Sequence, residues 1–326
     1  MIAEASIEAE LRAAELEEVP IIDVAPLIDG SDVTGIAHQI GRACRKVGFF
    51  YIVNHGFDPR LVSETYRRAR EFFELPVGEK EKLSIVHSGL TLRGYIPFFG
   101  ENVDPNHTRD LKECFDLGCH ETEVSPFFGP NLMPEALPGF KTTVERYHDA
   151  MLLLAKELIA AIAVSLELPA DYFERLQRKP ITIQRLQHFP PQEGTITKDE
   201  MGIGAHTDYG FLTILSQDSV GGLQVKSRDG LWVNAPPIEG SLIINIGDLV
   251  QTFTNDRYMS TLHRVVNTSG IKRYSIPFFI GLDFDAEVSV VPTCQSESNP
   301  ARYLAYTCGE HKYGRFVDSY AHLQTL

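Results

Sequence analysis

Beyond Pro180 the chain becomes a succession of short apolar runs broken by turn residues: Phe211 to Leu215, Gly222 to Lys226, Leu231 to Asn234, Ser241 to Ile246, Thr261 to Val266 and Arg273 to Leu282. Many short strands require a sandwich or a barrel. The first half reads differently. Ile36, Ile40, Ala43, Cys44 and Val47 recur at helical spacing over Ile36 to Val47, and Gly48 closes that helix. A second helix is expected near Leu61 to Leu75. A third, over Phe140 to Leu168, carries Val144, Tyr147, Met151, Leu154, Leu158, Ile162 and Leu166 on one side, with Lys156 and Glu157 marking its wet face.

Between these helices, Val19 to Val24 reads as a first strand, and Phe49 to Val53 as an aromatic and β-branched strand. Asn54-His55-Gly56 forms the turn after that strand, where His55 takes a structural, hydrogen-bonding role. Arg93-Gly94-Tyr95 and Gly100-Glu101 read as loop or strand over an opening. Glu4 to Glu18 suggests a short acidic helix, and Tyr313 to Leu326 a terminal helix over the opening or tethered to the surface. No repeat or low-complexity linker divides the chain. The economical reading is an N-terminal extension at 1–18 and one domain over 19–326, with a helical region at 19–180, a β core at 181–290 and a C-terminal segment at 291–326.

The 326 residues are 43% hydrophobic, ample for a large core. A formal charge of −14 works against nucleic acid, whose phosphates need clustered Lys and Arg. Five scattered cysteines without a Cys-x-x-Cys pair fit a reduced, cytoplasmic setting. The N-terminus has no basic start followed by an apolar stretch, so it is not read as a secretory signal. The longest uncharged run of the main helix, Leu158 to Leu166, falls far short of the roughly 20 residues of a membrane span. Nothing fixes the oligomeric state.

Within the strand-rich half, His206 and Asp208 stand two apart. On an extended strand they share a face and can reach one metal, with His263 as third ligand. Two imidazoles and a carboxylate on one face of an octahedral ion suit non-haem Fe(II), because three adjacent positions stay open. Arg273 and Ser275 alternate onto one face in the same way. A guanidinium and a hydroxyl so placed can grip a carboxylate, as a dicarboxylate cosubstrate requires.

The chain as a whole resembles the isopenicillin-N-synthase-like group of Fe(II)- and 2-oxoglutarate-dependent oxygenases. The likeness is carried by Val19-Pro20-Ile21-Ile22-Asp23, Gly48 through Gly56, Arg93-Gly94-Tyr95, Lys112-Glu113, His206 through Leu215, Gly221 through Val225, Asn245-Ile246-Gly247-Asp248 and Arg273-Tyr274-Ser275. It implies a double-stranded β-helix, a jelly-roll relative, behind N-terminal helices. It also implies His206, Asp208 and His263 as Fe(II) ligands, and Arg273 and Ser275 on the distal carboxylate of 2-oxoglutarate. Many plant members have an Asn and a Tyr that hold the cosubstrate where this chain has Gln187-His188-Phe189. Gln187 keeps an amide donor, whereas Phe189 has no hydroxyl, so one contact of about 0.5–1.5 kcal/mol is expected to be absent. The stretch from Phe189 to Gln192, with Gly202 to Gly210, is also similar to the bacterial ethylene-forming enzymes, which keep a Phe here and still use oxoglutarate.

The implied activity is hydroxylation, desaturation or cyclisation of a small organic substrate in specialised metabolism, with O2 consumed and succinate and CO2 released. Two other enzymatic outcomes are an oxoglutarate-independent oxidase, whose clamp binds the substrate's own carboxylate, and an ethylene-forming enzyme. A binding module that lost catalysis is the non-enzymatic alternative. Arg93, Tyr95, Phe98, Glu101, Phe211 and Phe279 are the candidate substrate-pocket residues, chosen from the entrance loop and the strands at the barrel mouth.

Overall fold

The computed structural model describes residues 19–103, 108–119, 121–192, 200–320 and 323. Four longer helices are α1 (Val33–Lys46), α2 (Pro59–Phe73), α3 (Phe140–Ser165) and α4 (Cys308–Ser319). The strands that build the two main sheets are β1 (Ile21–Asp23), β2 (Phe49–Val53), β3 (Gly94–Ile96), β4 (Glu113–Leu117), β5 (Thr182–Phe189) and β6 (Ile203–His206), then β7 (Leu212–Gln217), β8 (Leu223–Lys226), β9 (Trp232–Asn234), β10 (Leu242–Ile246), β11 (His263–Val265) and β12 (Arg273–Ile280). The large sheet runs β1-β2-β10-β7-β12-β5-β4-β3, and the small one β9-β8-β11-β6. Strands from both ends of the chain therefore share one sheet. The result is the jelly-roll core that the resemblance implies, within the sandwich-or-barrel class expected from the short strands.

Period-two alternation divides the large sheet's two faces. Phe50 and Ile52 of β2, Ile244 of β10 and Ile276 of β12 point outward, into a core shared with Ile40, Phe72, Leu158 and Ile162 of the helices. Phe49, Tyr51, Phe189 and Ile243 point the other way, against Ile203, Leu223, Val225 and Val265 of the small sheet. Arg185 and Gln187 of β5 and Arg273 and Ser275 of β12 fall on this second face, inside the barrel, whereas Thr182 and His188 of β5 face the helices and β4.

Helix boundaries follow their caps. Asp32 accepts the Gly35 N–H at 2.8 Å, so α1 starts earlier than its apolar stripe alone indicates. Asp58 accepts from the Arg60 N–H, and Pro59 is tolerated in the first turn, which moves α2 toward the N-terminus. α3 stops at Ser165 because Glu167 adopts a left-handed φ of 61°. α4 begins at Cys308, ahead of the expected Tyr313, because the Thr307 hydroxyl caps it through the Glu310 N–H. The expected terminal residues through Leu326 and the Glu4 to Glu18 helix lie largely or wholly outside the described residues. Gly48 has φ 69°, and a Cβ there would meet the Met259 carbonyl oxygen at 2.0 Å, so this position needs glycine twice over. His55 accepts the Phe57 N–H at 3.2 Å, a local structural bond. No helix among the described residues is long and apolar enough to cross a membrane.

Candidate active site

His206 ends β6 and His263 opens β11, where antiparallel pairing sets them directly opposite each other. Their rings lie 4.2 Å apart, centroid to centroid. Asp208 sits just past the end of β6 rather than on the strand, so the expected i, i+2 strand geometry gives way to a loop that still aims its carboxylate at both rings. The Asp248 N–H holds that loop through the Asp208 carbonyl at 2.8 Å. Gly247 permits the approach, since a Cβ there would lie 2.1 Å from the Gly210 carbonyl oxygen.

The hydrogen bonds fix which atoms are left over. His206 Nδ1 lies 2.9 Å from the Gly204 carbonyl and His263 Nδ1 lies 3.1 Å from the Thr261 carbonyl. A carbonyl only accepts, so both Nδ1 atoms carry the proton and both Nε2 atoms present lone pairs. Asp208 Oδ2 accepts from the Thr213 hydroxyl and from Asn245 Nδ2 at 2.7 Å, leaving Oδ1 free. Oδ1 stands 3.7 Å from His206 Nε2 and 3.6 Å from His263 Nε2. The three residues offer ligand atoms all within 4.8 Å of one another. Three acceptors thus converge with no donor between them, a set that a cation satisfies and a proton network does not. Burial, aided by His263, pushes the His206 pKa down to about 3, so its ring is neutral and ready to ligate. Burial works against the Asp208 carboxylate, yet the two imidazoles with Asn245 and Thr213 hold it below its ordinary range.

Two cavities meet at this triad. One is lined by Arg273, Ser275, Gln187, Lys112 and Asn245, and the other by Glu101, Tyr209, Phe279, Lys312 and Phe316. His206, Asp208, Arg185, Val103 and Phe279 line both. In the first, register sets Ser275 opposite Gln187 and Arg273 opposite Phe189. The Ser275 hydroxyl donates to Gln187 Oε1 at 2.9 Å, and Arg273 Nη1 donates to Ser275 Oγ at 3.2 Å. Arg273 is 1% exposed, makes no ion pair among the described residues, and its Nε has no partner there. Burial draws its pKa down to about 10, which still leaves it charged. A buried guanidinium without a carboxylate is able to bind one. The guanidinium rests 4.6 Å from the centre of the Phe189 ring, so the residue expected only to lack a hydroxyl supplies a cation–π floor.

The six proposed substrate residues divide. Glu101 and Phe279 line the second cavity, whereas Arg93, Tyr95, Phe98 and Phe211 line neither. Arg93 donates to the carbonyls of Cys119, Phe127 and Gly129 at 2.6–2.9 Å and to Asn131, pinning a loop. The Tyr95 hydroxyl donates to Glu113 at 2.7 Å, and Glu113 also holds Lys80 and His188. Phe98 turns outward at 37% exposure, and Phe211 is fully buried against Phe173 and Phe253. Arg93, Tyr95 and Phe211 thus serve the fold from within, and Phe98 lies at the surface. Buried loops satisfy polar groups with whatever side chain reaches them, and sequence position alone does not reveal that.

Arg185, Lys312 and Phe316 were missed, and Lys112 and Tyr209 stood in recognised segments without an assigned role. Arg185 had a signal: on β5 it stands two before Gln187, and both must face the same way. Thr213 and Asn245, which orient Asp208, sat inside quoted motifs without an assigned role.

Comparison with known proteins fits this geometry. Residues 180–282 match the 2OG-Fe(II) oxygenase superfamily, and residues 19–136 match the N-terminal region described as non-haem dioxygenase in morphine synthesis. A homoarginine-6-hydroxylase of Glycine max is 33% identical, covering 95% of this chain and 100% of its own. A 1-aminocyclopropane-1-carboxylate oxidase of Dictyostelium discoideum is 34% identical over 85% of each. Among solved structures, a full-length Neurospora crassa protein in complex with alpha-KG superposes with a TM-score of 0.84 at 30% identity, covering 94% of this chain and 98% of that one. The chain belongs to the 2OG-Fe(II) oxygenase superfamily. It is a non-haem iron oxygenase that uses 2-oxoglutarate, and it acts on a small organic substrate.

Proposed function

We propose that His206 Nε2, His263 Nε2 and Asp208 Oδ1 hold Fe(II), and that Arg273 and Ser275, braced by Gln187, take the distal carboxylate of 2-oxoglutarate in the first cavity. The observation that carries this reading is the convergence of three proton-free ligand atoms beside a buried arginine that has no ion-pair partner among the described residues. Bound together, Fe(II) and 2-oxoglutarate supply an oxidant for a C–H bond, with O2 consumed and succinate and CO2 released. The protein's own part is positional. Thr213 and Asn245 fix Asp208 as a one-oxygen ligand, and the Gly204 and Thr261 carbonyls lock both imidazole tautomers. Phe279 and Phe316 give apolar surface to the second cavity, where the substrate binds beside the triad.

Two adjoining cavities at the triad, one with room for the cosubstrate at the clamp and one away from it, favour this reading over an oxidase whose clamp takes the substrate's own carboxylate. Strands shared between both ends of the chain support a single oxygenase domain from residue 19, and five free thiols support a reducing, cytoplasmic location. The test is iron content and substrate-free 2-oxoglutarate turnover. His206→Ala is expected to lose both bound iron and succinate release, and full retention of either contradicts the assignment.

A further inference from the structure

Lys312 lies on α4 between Cys308 and Phe316, at the i, i+4 spacing of that helix's buried stripe. It is 3% exposed and lines the second cavity with Tyr209, Phe279 and Phe316. Its Nζ makes no hydrogen bond and no ion pair among the described residues. It lies against the Phe127 ring, whose centre is 5.7 Å away, near the limit of a cation–π contact.

The other charges of this cavity are committed. Arg185 donates to both oxygens of Asp116 at 2.7 Å and to Glu101 at 2.6 Å. Glu101 also receives Lys112 at 3.2 Å, and Lys112 in turn donates to Asp110 at 2.7 Å. Asp208 belongs to the triad. Burial draws the Lys312 pKa down to about 8, so the ammonium persists at neutral pH despite its surroundings. Three residues on, Arg315 lies over the Tyr209 ring at 4.3 Å and adds a second cation beside the cavity. A buried ammonium without a partner among the described residues, beside charges that are already paired and next to Phe279 and Phe316, is matched by one carboxylate on an apolar body.

We propose that Lys312 receives the carboxylate of the substrate, so that the substrate of this oxygenase is a small organic acid. This rests on the reading of the second cavity as the substrate's. The carboxylate anchors at α4, and the apolar body extends between Phe279 and Phe316 toward the triad. Lys312 thereby determines both which compounds bind and which C–H bond is presented.

The holoenzyme, loaded with Fe(II) and 2-oxoglutarate under argon, is titrated calorimetrically with butyrate, hexanoate and phenylacetate and with their primary amides, while the visible iron–keto-acid band is followed. At least one acid is expected to bind about tenfold more tightly than its amide, the worth of a charge-assisted hydrogen bond, with the band retained throughout. Lys312→Met is expected to abolish that preference and Lys312→Arg to restore it. Lys312→Gln replaces the Met variant if the latter does not show the band. Acids and amides that bind alike, or fail alike, in the wild type overturn the inference, as does a preference that survives in Lys312→Met. A missing band in the wild type overturns the parent reading instead, so the two failures are distinguishable.

Discussion

Arg185 and Arg273 lie on neighbouring strands, β5 and β12, and both face the interior beside the triad. Their surroundings are opposite. Arg185 spends every nitrogen on the protein: two on Asp116, one on Glu101, and one of these also on the Tyr320 hydroxyl at 2.8 Å. Arg273 has a serine hydroxyl, an aromatic floor and, among the described residues, an unpartnered Nε. A buried arginine whose donors are saturated by carboxylates is a strut, and one whose donors are left open is a receptor. The same contrast separates Lys112, paired with Asp110 and Glu101, from Lys312.

Breaking the strut has the largest expected effect. Arg185→Met strands the Asp116 carboxylate in the interior and leaves Glu101 with Lys112 alone, and is expected to lower unfolding free energy by about 3–5 kcal/mol, read by urea denaturation. Arg273→Met is expected to leave stability unchanged or raised, while weakening 2-oxoglutarate binding roughly ten- to a hundredfold by equilibrium titration. Equal stability losses in the two variants erase the distinction between them.

Lys312→Met is expected to raise stability at pH 7 by about 1–3 kcal/mol, because it removes a buried charge without a partner. Here the sign with pH is fixed. The folded-state pKa is lowered to about 8 by burial, so between there and the ordinary lysine value of 10.5 the unfolded chain binds more protons. Wild-type stability therefore gains relative to the variant as pH rises through that window, and the advantage of Lys312→Met shrinks. A difference that stays flat with pH contradicts the burial of an ammonium. The smallest expected effect is that of Tyr320→Phe, which removes one hydroxyl from the saturated cluster and costs about 1 kcal/mol in the same denaturation assay.

The strut and the receptor are not equally visible in sequence. Arg273 and Ser275 were legible because their spacing obeys strand alternation, which needs no tertiary information, whereas the same argument brought His206 and Asp208 together although Asp208 lies in the loop past the strand end. The helices were legible from their apolar stripes, with their ends shifted by Asp32, Asp58 and Glu167. β5 went unread because its interior face carries Arg185 and Gln187 in place of aliphatic residues, and a strand that lines a polar site loses the hydrophobic alternation that marks strands elsewhere. Arg93 and Tyr95 looked like pocket residues because a polar group in a Gly-rich stretch has the same one-dimensional appearance whether it meets a ligand or a backbone carbonyl. Lys312 was hidden for a related reason. A lysine on a helix reads as a solvated charge, and only the packing of α4 over the cavity shows that it is not.

The most direct test of the central claim is an anaerobic titration of the Fe(II)-loaded protein with 2-oxoglutarate, followed by the weak visible charge-transfer band of a chelated iron–keto acid, with Arg273→Ala alongside. A band that saturates in the wild type and needs far higher 2-oxoglutarate in the variant is the predicted result. Iron bound without any band, or a band indifferent to Arg273, contradicts the assignment of triad and clamp.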